Sequence, residues 1–182
     1  MHSIFEHIRK IIIFIIPLMV THNSLSVIEI ATSATRIMAV TDVADSFGNS
    51  IIQATIGASG SSPNTWISTN ISASISTTNN YNPRIFVNSA GDFIVLWGFL
   101  DPFTGNPELA CASLLDASLV WQLFNVSQAS GAVESNNYVA AFDNTTNVII
   151  GWSPTIANSI EAFVATLNLN TNVLTAPYMI PN

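Results

Sequence analysis

The chain has 182 residues, only 8% of them charged against 49% hydrophobic, and a net charge of −7. A typical soluble protein carries about 25% charged residues, so Ser, Thr and Asn must make the polar surface here. Four basic residues cannot neutralise a phosphate backbone, which excludes nucleic acid and makes anionic lipid a poor partner.

Residues 1–26 form a segment unlike the rest. Arg9 and Lys10 precede an unbroken apolar run from Ile11 to Val20, and Thr21 to Ser26 is short and polar, ending in Ser24-Leu25-Ser26. This is the pattern of a secretory signal peptide, predicted to be cleaved after Ser26. A helix of that apolar run would be roughly 15 Å long, about half of a bilayer core, so an uncleaved membrane tether is the lesser alternative. Cleavage would leave Arg36 and Arg84 against ten carboxylates, a net charge near −8.

From residue 27 onward the chain repeats itself with a shift of about 55 residues. The copies are predicted at about 27–80, 81–135 and 136–182. Ser33 to Val40 in the first copy lines up with Ser89 to Leu96 in the second, with Thr41 standing where Trp97 would be. Asp45-Ser46-Phe47-Gly48-Asn49 then shadows Asp101-Pro102-Phe103-Thr104-Gly105-Asn106. Trp66 matches Trp121, Trp97 matches Trp152, and Asn70-Ile71-Ser72 matches Asn125-Val126-Ser127. The triplets Ala54-Thr55-Ile56, Ala112-Ser113-Leu114 and Ala165-Thr166-Leu167 are taken as equivalent.

Runs of Val, Ile, Phe and Thr between Gly, Asn, Pro and Ser clusters read as strands and turns, and no long stretch keeps a helical apolar period. The second copy is predicted to hold four strands, Arg84 to Asn88, Phe93 to Phe99, Glu108 to Leu114 and Val120 to Val126. Four strands in this length make one propeller blade. The fold class is therefore all-β, with three four-stranded antiparallel repeats. The repeated tryptophans are expected to pack between neighbouring sheets.

Functional chemistry is sparse. The three histidines, His2, His7 and His22, all fall in the signal segment, which leaves the mature chain without a His-based metal site, a Ser-His-Asp triad or a base for a thiol. Cys111 is single and lies where Val164 lies in the next copy, the place of a buried strand residue. Asp92, Asp101, Glu108, Asp116, Glu134, Asp143 and Glu161 could supply a glycosidase pair, although most sit at turns, as does the oxygen-rich but irregular loop at Asp101. No catalytic, metal or cofactor residue is assigned. The acceptor patterns at Asn70, Asn125 and Asn144 are expected by chance in so Asn-rich a chain.

The blade Asn88-Ser89-Ala90-Gly91-Asp92, Phe93-Ile94-Val95-Leu96-Trp97, Ala110-Cys111-Ala112-Ser113 and Val120 to Ser127 resembles those of bacterial secreted β-propeller repeat proteins, a loose group without one shared activity. The resemblance spans Val27 to Asn182 and implies an architecture only; neither a tryptophan-aspartate dipeptide nor a sialidase Asp-box is present. Propellers usually close with about four to eight blades, so three would leave two open flanks. A homodimer closing a six-bladed ring is expected, with an open stack on a larger partner, a truncated fragment and a two-sheet β-sandwich as alternatives. The function expected is a secreted, non-catalytic module binding a protein or glycan through Asp101 to Pro107 and Ala129 to Asn137; the alternative is a carbohydrate-active enzyme, or a fragment of one, with carboxylates at a propeller channel.

Overall fold

The computed structural model describes residues 28–76, 79–118, 120–127, 137–143, 146–153, 155–156, 159–160 and 162–181. The expected signal peptide and cleavage site, Glu134, Glu161 and all of the 129–137 loop except Asn137 lie outside them. No helix among the described residues is long and apolar enough to cross a membrane.

Three sheets follow one another along the chain. The first joins β1 (Ile28–Thr32), β2 (Arg36–Ala44), β3 (Ser50–Ala58) and β4 (Ile67–Asn70) in that order, all neighbours antiparallel, with one 3-10 turn at Pro63–Thr65 before β4. The second repeats the plan with β5 (Asn80–Val87), β6 (Phe93–Leu100), β7 (Pro107–Leu114) and β8 (Gln122–Asn125). The third runs β9 (Tyr138–Phe142), β10 (Asn147–Trp152), then, past a small ribbon of β11 (Thr155–Ile156) and β12 (Ser159–Ile160), β13 (Ala162–Asn168). The outer edge of β13 is shared by β14 (Val173–Leu174) and β15 (Tyr178–Ile180).

The middle sheet is covered on both faces. Alternate side chains of β6 and β7 go opposite ways: Phe93, Val95, Trp97, Phe99, Ala110 and Ala112 pack with Met38, Val40, Ile52 and Ala54 of the first sheet. Ile94, Leu96, Leu109 and Cys111 pack with Val148, Ile150, Ala165 and Leu167 of the third. Covering both faces explains why β6 reads Phe-Ile-Val-Leu-Trp-Gly-Phe-Leu with no polar alternation. Three stacked sheets replace the two of the sandwich alternative. Cys111 is fully buried, and burial pushes its thiol far above the ordinary range, as a structural cysteine requires.

The repeat holds in three dimensions, with one correction. Val95 and Ile150 stand opposite Ala112 and Ala165, so those two triplets are equivalent. In the first copy Ala39 occupies the place of Val95 and stands opposite Thr55, not Ala54. The first triplet is thus out of step by one residue, which in a strand reverses every side chain between faces: Ala54 points toward the second sheet and Ala112 toward the first.

The Asn-x-Ser repeat also has a structural reason. Ser72 Oγ accepts the Ile52 N–H at 3.0 Å and Ser127 Oγ accepts the Leu109 N–H at 2.6 Å, in each case just past the last strand of the sheet. Between Asn and Ser, Ile71 and Val126 are buried. Both serines therefore satisfy buried backbone donors, a demand shared by the first two sheets.

Turns follow the same logic. Gly91, at φ +91, closes the β5–β6 hairpin in a conformation that a side chain disfavours. Asp45 Oδ1 accepts the N–H groups of Phe47 and Asn49, and Asp101 Oδ1 those of Phe103 and Thr104. For Asp45 the Asn49 side-chain amide is the main cause that lowers its carboxyl below the usual 3.8, and for Asp101 it is the Thr104 N–H. A depressed folded value means that each carboxylate favours the fold above pH 3.8 and that this contribution is lost as the pH falls through the folded value. A carboxyl NMR titration is expected to find both titrating below 3.8, and in Asp101→Asn the loop to be insensitive to acid. A carboxyl at or above the usual value would show that the turns are not held this way.

Candidate functional site

The first strand of the middle sheet is irregular. Tyr81 pairs with Gly98 and Arg84 with Leu96, so Asn82 and Pro83 form a bulge. Asn82 has φ +51, in the left-handed region, where a non-glycine residue needs support. Proline has no N–H to give to the ladder, which suits it to this place. A bulge bends a strand and re-aims its side chains, and such irregularities gather beside functional sites.

Support comes from the third sheet. The buried Tyr138, first residue of β9, donates its hydroxyl to the Asn82 carbonyl. Its ring lies under the exposed Arg84, with the guanidinium carbon 5.9 Å from the ring centroid, in reach of a cation–π attraction. Burial pushes the Tyr138 phenol far up, while the Gly98 N–H and Arg84 act against it; Tyr81 and Asp42 are near enough to add to the rise. Burial raises the Tyr81 phenol as well. The sheets are tied beside this group through Asn80, whose amide donates to the carbonyls of Ser50 at 2.9 Å and Ser76 at 3.2 Å and accepts from Trp97 Nε1 at 3.0 Å.

Tyr81, Arg84 and Tyr138 therefore meet at one end of the stack, and Asp42 of the first sheet is near enough for its charge to act on the Tyr138 phenol. Arg84 presents a fixed fork of donors, Tyr81 and Tyr138 supply ring faces and hydroxyls, and Asp42 supplies a carboxylate. Such a set suits a ligand with many hydroxyls and flat apolar faces.

The carboxylates singled out in the sequence do other work. Asp92 accepts from Asn88 Nδ2 at 2.8 Å and from the Asp116 N–H at 2.8 Å. Asp116 in turn accepts from Thr35 Oγ1 at 3.0 Å and lies 3.4 Å from Arg36 Nε. Glu108 accepts from Asn125, Asp143 from Asn147, and Asp101 holds its own turn. At the opposite end from Tyr138, Thr35, Arg36, Ile56, Thr65, Ile67 and Asp116 line a recess of about 290 Å³ between the first two sheets. Arg36 and Asp116 pair there and tie the two sheets together, while Arg36 Nη1 is buried without a hydrogen-bond partner. Among the described residues no group of three or more His, Cys, Asp or Glu is placed to hold a metal.

The sequence missed the Asp42, Tyr81 and Tyr138 group because its members are strand residues joined only by stacking of the sheets. The one signal was Asn82-Pro83, a turn dipeptide inside a strand.

No protein-family profile matches the chain, and no curated protein does. Solved structures do. A thermostable family-43 glycoside hydrolase matches at 13% identity and a TM-score of 0.51, over 90% of this chain and 55% of its own. A structure from the GH130 family of mannoside phosphorylases, described as containing glycoside hydrolases that target beta-1,2 mannosidic linkages in Candida mannan, matches at 14% and 0.47, over 84% and 47%. A glycosyl hydrolase from Bacteroides ovatus matches at 13% and 0.47, over 86% and 48%. The chain spans about half the length of each. These are propeller-like glycoside hydrolase folds, and the first of them establishes the fold class, all-β and propeller-like. The expectation that the chain is not an enzyme is corrected by the family-43 structure, a glycoside hydrolase with this fold. Sequence reasoning had inferred no catalysis from missing histidines and motifs, and carboxylate chemistry needs neither.

Proposed function

We propose that this chain is a secreted, carbohydrate-active propeller unit that holds a neutral glycan at the bulged end of β5. The observation that carries this is the bulge itself: it sets Arg84 over Tyr138 and beside Tyr81, on the first strands of neighbouring sheets, with Asp42 on the second strand of the first sheet. In a propeller the first strands line the axis, so Tyr81, Arg84 and Tyr138 would face the channel mouth. The glycan is neutral because the protein is strongly acidic and would repel an anionic polymer. Arg84 would donate to sugar hydroxyls and Tyr81 would offer a stacking face.

The resemblance of fold to glycoside hydrolases supports a carbohydrate-active reading, and Asp42 is the carboxylate within this group. Glycosidic cleavage needs two carboxyl groups roughly 5–9 Å apart, one to protonate the leaving oxygen and one to attack the sugar or to activate water. Asp42 would fill one of these roles.

A glycan array followed by calorimetry tests the reading. The wild-type chain is expected to bind a neutral oligosaccharide, Arg84→Ala to weaken it by about 10–100-fold, as the loss of charge-assisted hydrogen bonds does, and Asp42→Asn to keep binding. Because Arg84 is exposed, its removal leaves the core intact. Equal binding by Arg84→Ala and wild type would remove the site from consideration.

A further inference from the structure

Two phenylalanines escape the burial that governs the rest. Among the described residues Phe93 and Phe99 are buried and the others half-buried, whereas Phe47 is 87% exposed and Phe103 95%. The two exposed rings hold equivalent places, at the tips of the β2–β3 and β6–β7 hairpins. Each tip is built to hold its ring outward. Asp45 Oδ1 accepts the Phe47 N–H and Asp101 Oδ1 the Phe103 N–H, both at 2.8 Å. Gly48 at φ +85 and Gly105 at φ +71 turn the chain back, and the Asp45 and Asp101 N–H groups close the turns on the carbonyls of Asn49 and Asn106 at 2.8 and 2.9 Å. A turn held by its own hydrogen bonds has no need of an apolar side chain at its tip, so each ring calls for something it meets outside the chain.

Both tips stand at the candidate site's end of the stack. Ser50, which follows the Phe47 turn, donates its hydroxyl to the Asn80 carbonyl, and its own carbonyl accepts from the Asn80 amide. Leu100, which precedes the Phe103 turn, donates its N–H to the Asn79 carbonyl at 3.3 Å. Asn79 and Asn80 thus lie between the two turns, and Tyr81 follows directly. Leu96, the partner of Arg84, is four residues short of Leu100, which puts the Phe103 turn roughly 13 Å beyond Arg84 along the strand. Neighbouring sheets lie about 10 Å apart, so no single sugar ring reaches both phenylalanines.

Their surroundings select the occupant. The rings are single and separate, set among Ser46, Asn49, Thr104 and Asn106 rather than in the contiguous apolar patch that a protein partner covers. The carboxyls of Asp45 and Asp101 beneath them are held below the usual 3.8, hence charged at neutral pH, and repel anionic lipid. A sugar chain offers flat C–H faces to the rings and hydroxyls to the polar side chains beside them. We propose that Phe47 and Phe103 are outlying stacking platforms that extend the Arg84 site along a neutral polysaccharide, so that the chain takes a long glycan in preference to a short one. This rests on the glycan reading above and names the class of glycan.

Calorimetry tests it with maltose and maltohexaose, cellobiose and cellohexaose, mannobiose and mannohexaose, and xylobiose and xylohexaose as probes. In the series that the wild-type chain binds, the hexasaccharide is expected to bind about tenfold more tightly than the disaccharide. Phe47→Ser and Phe103→Ser each weaken the hexasaccharide by about 3–10-fold, the effect of one aromatic contact, and leave the disaccharide unchanged. The double variant binds both lengths alike, and Phe103→Tyr, which keeps a ring, retains the preference for length. Because both tips are exposed, all these variants unfold at the wild-type temperature. Val120→Ser, at a 63% exposed residue of the β7–β8 connection at the opposite end, changes neither affinity. A double variant that keeps the full hexasaccharide affinity, while Arg84→Ala weakens both lengths, would overturn the platforms and leave the Arg84 site standing. Equal loss at both lengths in the serine variants would overturn them too, since the rings would then belong to the Arg84 site itself. Binding of no probe by the wild-type chain would remove the glycan reading and this inference with it. Sedimentation of the wild-type chain but not the double variant with phosphatidylcholine vesicles would assign the rings to a lipid surface instead.

Discussion

Replacing Trp97 with alanine is expected to destabilise the protein by about 3–5 kcal/mol, the usual cost of truncating a buried tryptophan. Trp97 is fully buried between the first and second sheets. Two losses combine there. The indole leaves a cavity that neighbouring strands cannot fill, because both faces of β6 are already packed. Its Nε1–H also holds Asn80 Oδ1 at 3.0 Å, so the substitution strands a polar atom in the interior. A domain of this size has about 5–15 kcal/mol in all, and the loss is a large part of it. Urea unfolding checks the expectation. Trp97→Phe, which keeps most of the volume but not the hydrogen bond, is expected to fall between the two, and equality of all three proteins would show that this seam does not hold the stack.

The same residue shows what was legible in the sequence. Trp97 and Trp152 keep the repeat spacing, both stand in the core, and the Asn-x-Ser pairs serve one structural purpose in two blades. Repeated local chemistry, read from neighbours along the chain, gave the three sheets. The limits have the same origin. β5 begins at Asn80, four residues before the expected Arg84, because Asn80, Asn82 and Pro83 look like turn residues and only the structure shows Asn80 satisfied by three partners between two sheets. Arg84 and Tyr138 meet across sheets, and nothing local in either segment announces the pairing. The misaligned Ala54 triplet failed for another reason: small apolar residues are interchangeable in composition, and a one-residue slip shows only in the strand register.

Gly98 links the core to the candidate site, and a methyl group there separates the two. A Cβ at Gly98 would run into the Tyr81 ring, and the Gly98 N–H also faces the Tyr138 hydroxyl. Gly98→Ala must therefore push Tyr81 out of its place over β6, at a cost of about 1–3 kcal/mol, as overpacking in a filled interior has. Gly151 lies one sheet further on, also in the second strand, paired with Val139 as Gly98 is with Tyr81. There a Cβ meets nothing closer than the Phe163 carbonyl at 3.8 Å, an ordinary contact. Gly151→Ala is expected to be neutral or slightly stabilising, since alanine restricts the unfolded chain more than glycine does. The contrast extends to function: Gly98→Ala displaces a proposed stacking face and should lose glycan affinity beyond its loss of stability, while Gly151→Ala should bind as the wild type does. Denaturation and binding measured on both variants decide the matter. If both alanines are equally harmless, Tyr81 is free to move and the bulged strand does not hold a preformed site; if Gly98→Ala is destabilised but binds normally, the ring serves packing alone.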